Sequence, residues 1–403
     1  MSFSKISASE RCKNLKSPLR DISYIAKKLE QEGKKVYYFN IGDPNRFDFD
    51  TPQHMKDALK HAILYANYYE DSEGSKELIE AIAKEESRKN GVKIEEDDII
   101  VTQGVSEAMQ FLLNAIIEPN RGDEILIPGP SYPPYIQATR FAGGIPVSYK
   151  LDENNDWEID LDDLRKKINV KTKLICIINP NNPTGSVTGR KIIKEVLNIA
   201  GEFGIPVVSD EIYDELIFDN VEYSNLASLA NDVPVIVMNG FSKNYLATGW
   251  RCGYIYFYDE NNYLEEIKNS VKAQARQRLS ACTPVMKACA KSFENKEHLK
   301  IVREKLKERA KFAYEKLNSI NGISAVKPKG AFYIFPKIEL KDRWKDDNEF
   351  VLDVLRNTGI VLAPGSGFGE TYGSGHFRSI ILPPIDVMDE AFTKLKKFIE
   401  EGE

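Results

Sequence analysis

Lys243 is the side chain best placed for covalent chemistry. It lies in the run Gly240-Phe241-Ser242-Lys243-Asn244-Tyr245-Leu246-Ala247-Thr248-Gly249-Trp250-Arg251-Cys252-Gly253, just after the apolar stretch Val235–Asn239. An amine at the end of an apolar strand, with small residues behind it and Arg251 following, suits attack on a carbonyl in a shielded site to form a Schiff base. Four further runs carry matching groups. Gly104-Val105-Ser106-Glu107-Ala108 opens a helix after small residues and offers free N–H groups and a hydroxyl to an anion. Gly129-Pro130-Ser131-Tyr132-Pro133-Pro134-Tyr135 stiffens a loop around Tyr132, so that its ring can lie flat against another. Asn179-Pro180-Asn181-Asn182-Pro183-Thr184-Gly185 is dense in turn formers and brings an amide to a strand end. Ser209-Asp210-Glu211-Ile212-Tyr213 ends an apolar strand on an acid, which is costly to bury unless a cation meets it.

Taken singly, each run also fits a helix cap, a rigid turn or a strand end. Taken together they are an anion cradle, a stackable ring, an amide, an acid, a phenol, a lysine and an arginine. Pyridoxal 5'-phosphate asks for that set. Its phosphate needs the cradle and Arg251, its protonated pyridine nitrogen needs Asp210, its phenolic oxygen needs Asn182 and Tyr213, and its aldehyde needs Lys243.

Such residues have to be held at one edge of a sheet. From about residue 98, short apolar runs alternate with helical stretches: Ile99–Thr102, Glu124–Pro128, Ile145–Tyr149, Leu174–Asn179, Val207–Asp210, Val235–Asn239 and Tyr254–Tyr258. This alternation predicts an α/β fold with a mostly parallel seven-stranded sheet between helices. Ligands of such sheets bind beyond the carboxyl ends of the strands, where the runs above fall. Helices are expected over residues 19–32, 54–64, 75–88, 297–317, 348–357 and 385–400, with strands over 36–41 and 331–336. The organisation expected is an N-terminal segment over residues 1–50, a large cofactor-binding domain over 51–295, and a small α+β domain over 296–403 that draws on both chain ends.

Composition narrows the classes. The chain has 403 residues, which suits two domains, and 42% hydrophobic residues, enough for a sizeable core. A net charge of −6 with mixed signs gives no basic stripe for nucleic acid. The five cysteines, Cys12, Cys176, Cys252, Cys282 and Cys289, lack metal-ligand spacing and fit reduced, cytoplasmic thiols. The four histidines, His54, His61, His298 and His376, form no ligand pair, so no metal site is expected. The first residues lack the apolar core of a secretory signal, and no apolar run has the ~18 residues of a membrane span.

Several motifs resemble those of the class I/II pyridoxal-phosphate aminotransferases of fold type I. They are NPNNPTG at 179–185, SDEIYDEL at 209–216, FSKNYLATGWRCGY at 241–254, GAFYIFP at 330–336 and GSGFGETYGSGHFR at 365–378. The resemblance covers essentially the whole chain. It implies that Lys243 binds the cofactor aldehyde and then moves a proton at the substrate. It implies that Asp210 keeps the pyridine nitrogen protonated, and that Asn182 and Tyr213 bind the ring oxygen. Tyr132 would stack on the ring, and Val105, Ser106, Ser242 and Arg251 would hold the phosphate. Arg378 would grip the substrate α-carboxylate as a bidentate fork, with Gly42 closing over it. Tyr69 matches a tyrosine that reaches the phosphate of a neighbouring subunit, which implies a homodimer with shared sites. Gly240 stands where many relatives have serine, and Cys252 where an aliphatic residue is common. Gly365-Ser366-Gly367-Phe368-Gly369 imitates a dinucleotide loop, but its last glycine is misplaced.

Within that family, NIGDPNRFDFDTP at 40–52, SYPPY at 131–135 and residues 14–22 look most like alanine aminotransferases of archaeal and bacterial type. The implied reaction converts L-alanine and 2-oxoglutarate to pyruvate and L-glutamate. Lys16 or Arg20, flanking Pro18 on the N-terminal segment, is the expected partner of the second carboxylate. An aspartate or aromatic aminotransferase, a lyase on the same scaffold, and a regulator retaining the cofactor fold are the alternatives.

Overall fold

The computed structural model describes residues 5–13, 15, 18–218, 221–340 and 343–401. Its centre is a sheet of β1 (Ile99–Thr102), β2 (Glu124–Gly129), β3 (Ile145–Asp152), β4 (Glu158–Ile159), β5 (Thr172–Ile178), β6 (Val207–Asp210), β7 (Val235–Gly240) and β8 (Gly253–Tyr258). The order across the sheet is β1-β8-β7-β6-β5-β2-β3-β4. Neighbours from β7 through β3 are parallel. β8 runs antiparallel to both β1 and β7.

All seven expected runs are strands, and the sheet has an eighth. β4 is a two-residue edge strand folded back on β3, with Leu151 opposite Ile159. Two residues carry no alternation to read. The turn before it places Asp156 and Trp157 at positive φ, which side-chain patterning does not reveal.

The central strands are mostly apolar because both faces are covered. Successive residues go to opposite sides. Ile99, Val101, Leu126, Ile175, Ile177, Val207, Val235, Val237, Tyr254 and Tyr256 join one apolar cluster. Ile100, Ile125, Ile127, Leu174, Cys176, Ile178, Val208, Ile236, Met238, Ile255 and Phe257 join the other.

A third cluster draws on both chain ends. Ile22, Ala26, Leu29 and Phe39 pack with Leu306, Phe332, Phe350, Phe377 and Phe392. Its helices are Pro18–Gln31, Glu297–Asn318, Asp347–Thr358 and Ile385–Glu401. A small antiparallel sheet joins them, with Phe377–Ile380 between Tyr333–Ile334 and Ala363–Pro364. Tyr37–Tyr38 pairs in parallel with Ile360–Val361, so the N-terminal strand is tied to a segment more than three hundred residues away. The strand expected over 331–336 is real but only two residues long, Tyr333–Ile334.

Candidate active site

β1, β2, β5, β6 and β7 end on the same edge of the sheet, because β8 reverses between β7 and β1. That edge collects Gly104, Tyr132, Asn182, Asp210 and Lys243, Asp210 as the last residue of its strand and the others a few residues beyond theirs. The third apolar cluster supplies the opposing wall through Phe332, Tyr333 and Arg378.

Lys243 is half-buried at the rim, and its Nζ donates to the Gly42 carbonyl at 2.8 Å. The amine lies 5.4 Å from the centre of the Phe332 ring. Among the described residues no carboxylate pairs with it. Burial pushes its pKa down to about 8, against the pull of Asp43 and with further push from Arg378 and Arg251. A neutral amine is therefore accessible near physiological pH, which is what a nucleophilic lysine needs.

Asp210 is buried at the end of β6. Its Oδ2 accepts from the Tyr135 hydroxyl at 2.7 Å, and its Oδ1 from the Ile212 N–H at 3.2 Å. Burial still pushes its pKa up to about 6. A buried acid left in that condition has room for a cationic partner.

Arg378 is 2% exposed, and no carboxylate pairs with it among the described residues. Its Nη1 donates to Asn182 Oδ1 at 2.9 Å, and its Nη2 to the Asn40 carbonyl. Tyr333 and Phe368 flank the guanidinium, with ring centres 4.5 and 4.8 Å away. Among the described residues its buried Nε has no hydrogen-bond partner. Tyr213 shares a 2.9 Å hydrogen bond with Tyr333. Burial, then the neighbouring Tyr333, pushes the Tyr213 phenol well above its usual range. Tyr132 is half-buried and close enough to act on the charge states of Tyr213, Tyr333 and Arg378. Gly42 has to be glycine here, because a Cβ would stand 2.3 Å from the Tyr333 hydroxyl.

The anion cradle is the N-terminus of the helix Val105–Ile116, where first-turn N–H groups have no helical acceptor. Gly104, at φ +77°, admits the Arg251 guanidinium, whose Nη2 would lie 2.7 Å from any Cβ there. Ser106 is exposed and Ser242 buried. Gly240 now has a physical reason: a side chain at that position would meet the Cα of Gly253 at 2.8 Å.

One expected residue stands apart from this cluster. Tyr69 is on the outside of this chain and 78% exposed. Lys16 and the side chain of Arg20 lie outside the described residues.

The aminotransferase class I and II family description matches residues 34–395. The chain is a class I and II aminotransferase. A solved alanine aminotransferase from Pyrococcus furiosus is 51% identical, with a TM-score of 0.95 over 98% of this chain and 100% of that one. The glutamate-pyruvate aminotransferase AlaA of Haemophilus influenzae is 33% identical over 97% of this chain and 96% of its own. Its namesake from Escherichia coli K12 is 35% identical over 93% of both.

Aminotransferases of this class work with pyridoxal 5'-phosphate, and the donor set of this aminotransferase fits that group. It combines an amine with no acid partner among the described residues, an under-neutralised buried acid, a helix N-terminus beside an arginine, and a phenol next to an amide. Sequence reasoning missed two residues of the site. Tyr135 sits in the helix Pro133–Ala142 and reaches Asp210. Tyr333 joins Tyr213 to Arg378. Both lie in motifs already singled out, where an aromatic hydroxyl beside a positioned acid or arginine was the available signal. The glycine-rich run over 365–369 is no dinucleotide loop; Gly365–Phe368 is a 3-10 turn that lays Phe368 over Arg378.

Proposed function

We propose that this aminotransferase moves an amino group between L-alanine and 2-oxoglutarate, giving pyruvate and L-glutamate. The observation that carries an amino-acid substrate is the buried Arg378, held between two rings and, among the described residues, with no acid partner and an unused Nε. A carboxylate entering there receives a fork of charged donors. The choice of alanine rests on likeness to the alanine and glutamate-pyruvate aminotransferases named above.

The bound cofactor supplies an aldehyde that takes the amino group and a pyridine ring that absorbs the electron pair released at the substrate Cα. Lys243 provides the amine for covalent attachment and afterwards carries the proton to and from Cα. Asp210, fixed by Tyr135 and the Ile212 N–H, holds a proton on the ring nitrogen. Asn182, whose Oδ1 is taken by Arg378, keeps its Nδ2 to donate to the ring oxygen, and Tyr213 donates beside it. Tyr132 would stack on the ring. Val105, Ser106, Ser242 and Arg251 hold the phosphate. Gly42 closes the substrate side, and Lys16 or Arg20 meets the second carboxylate of 2-oxoglutarate.

Residues 51–295 form the cofactor-binding body on this reading, and residues 1–50 and 296–403 close against it. Tyr69 stands with exposed Leu64, Tyr65 and Tyr68 on an aromatic surface, which supports a homodimer in which Tyr69 reaches the partner's phosphate site. No helix among the described residues is long and apolar enough to cross a membrane. We place the enzyme in the cytoplasm, with amino and 2-oxo acids rather than nucleic acid as its partners.

The test is a half-reaction screen. The yellow loaded enzyme is mixed with alanine, glutamate, aspartate and aromatic amino acids in turn, and the loss of its absorbance is timed. Alanine and glutamate should react fastest, and pyruvate release from alanine should stop after one turnover without 2-oxoglutarate. Faster reaction with aspartate or tyrosine would reassign the substrate, and continued release of pyruvate and ammonia from L-serine without acceptor, by loss of its β-hydroxyl as water, would make the enzyme a lyase.

A further inference from the structure

Leu246 has a conformation that its side chain does not favour. It is 3% exposed and sits at φ +52°, in the left-handed region that β-carbon-bearing residues rarely adopt. It follows Lys243 by one turn, and its N–H donates to the Lys243 carbonyl at 3.3 Å. Its side chain leaves the sheet and packs in the apolar cluster built by the chain ends. Something has to hold the residue there, and the neighbours that do so come from one short loop.

The Leu246 carbonyl accepts two hydrogen bonds, from the Thr51 hydroxyl at 2.6 Å and from Asn45 Nδ2 at 2.7 Å. Two residues on, the Thr248 hydroxyl lies 2.8 Å from Asp43 Oδ1 and 3.2 Å from Asn45 Oδ1. At the front of the turn, Lys243 Nζ reaches the Gly42 carbonyl. Residues 42–51 thus grip both ends of the turn that carries the lysine. Thr51 is buried, so no water replaces its hydroxyl once it is removed.

We propose that Thr51 and Asn45 are positioning residues for Lys243: by capturing the Leu246 carbonyl they fix the left-handed turn that aims the amine beneath Gly42. The inference rests on the reading of Lys243 as the cofactor-binding lysine. It also moves the working boundary between the parts, because residues 42–51 then travel with the cofactor-binding body and not with the rest of the N-terminal segment.

The full-length chain is prepared as wild type, Thr51→Val, Thr51→Ser, Asn45→Ala and the double variant Thr51→Val/Asn45→Ala. In the cofactor-free protein, the pH midpoint of Lys243 acylation is read by peptide mass spectrometry. In the loaded protein, kcat and KM for the amino donor are separated, and Tm is recorded for both forms. Thr51→Val should lower kcat about 5-fold with KM nearly unchanged, and the double variant about 20-fold or more. The acylation midpoint should rise toward that of an ordinary lysine as water gains access to the loosened turn. Thr51→Ser should restore both. A role in stability alone would lower Tm and leave the midpoint and kcat at wild-type values, which overturns the proposal. So would a Thr51→Ser variant as impaired as Thr51→Val. If Thr51→Val fails to fold, the exposed Asn45→Ala decides by the same two readouts. Borohydride reduction of the loaded wild type tests the other reading separately: an unlabelled Lys243 refutes its cofactor role, while the midpoint in cofactor-free protein still reports on the clasp.

Discussion

Two half-buried lysines serve opposite ends in this enzyme. Lys89, on the helix Lys76–Asn90, pairs with Glu86 at 2.6 Å and with Asp214 at 2.5 Å. Burial alone would lower its pKa, but Asp214 and Glu86 outweigh it and hold the ammonium well above its usual range. Lys243 has the Gly42 carbonyl and a ring face instead of carboxylates, and burial wins. The two are joined through the chain. Asp214 accepts from Lys89 on one oxygen and from Asn244, the residue after Lys243, at 2.6 Å on the other. The reactive lysine is thus the one denied a counterion, and the paired lysine anchors the turn beside it.

The largest expected effect separates the two by function. Lys243→Ala should abolish covalent cofactor attachment and lower kcat by about 10⁴-fold or more, with the Tm of the cofactor-free protein no lower than wild type. Lys89→Met should do the reverse. It leaves Glu86 and Asp214 buried without a cation, a loss of about 3–5 kcal/mol that shows as a Tm lower by several degrees. The folded fraction of that variant should keep kcat within a few-fold. Comparable loss of kcat in both would mean that Lys89 belongs to the chemistry.

Asp210 extends the contrast to the acids. Asp210→Asn should lower kcat/KM by about 10²–10³-fold, since an amide cannot hold charge on the ring nitrogen. The same change should stabilise the cofactor-free protein. The folded carboxyl titrates near 6 and the unfolded one near ~3.9, so the folded state binds the proton more tightly and wild-type stability falls as pH rises between those values. The variant escapes that loss. Its advantage, about 3 kcal/mol, should be complete above pH ~6 and gone below pH ~4 in denaturant melts. An advantage that does not change with pH would show that Asp210 is not the group responsible.

The third contrast is kinetic. In cofactor-free protein Lys243 is a cation below its value of about 8 and a neutral nucleophile above it. Its acylation rate should rise about tenfold per pH unit up to that point and then level off. Lys89 should still be gaining reactivity at pH 10. Parallel profiles for the two lysines would remove the physical basis for singling out Lys243.

Much of this arrangement was legible in the sequence, and what was not has a common cause. The seven main strands appear as apolar runs because the sheet is covered on both faces, and Asp210 and Lys243 stand out because each ends such a run. Gly104 and Gly42 are marked by motif, and the structure adds the contacts that require them. The network around Lys89 left no local trace. Glu86, Lys89, Asp214 and Asn244 come from three segments, and each reads alone as a polar residue on a helix or in a turn. The clasp on Leu246 was hidden likewise, since Asn45 and Thr51 resemble ordinary turn formers until their partner two hundred residues away is known. Charge pairing and backbone strain are tertiary properties; periodicity and turn chemistry are local ones.

The smallest effect concerns Tyr135, which read as part of a stiff proline turn and proves to be the hydrogen-bond donor on Asp210. Among the described residues the acid carries one other donor, the Ile212 N–H at 3.2 Å, which is longer than the 2.7 Å bond from the phenol. A hydrogen bond to an ionised group stabilises by about 1.5–3 kcal/mol, and part of that is lost when the phenol goes. Tyr135→Phe keeps the ring and its packing, so the fold should be unaffected. The carboxylate becomes harder to ionise and less firmly aimed, and kcat should fall about 3- to 10-fold with weaker cofactor retention on dialysis. The cofactor-free pH profile of stability should shift upward along with the Asp210 titration. If Tyr135→Phe retains wild-type kcat and the same titration midpoint, the Ile212 N–H and burial suffice to set Asp210, and the phenol acts only in packing.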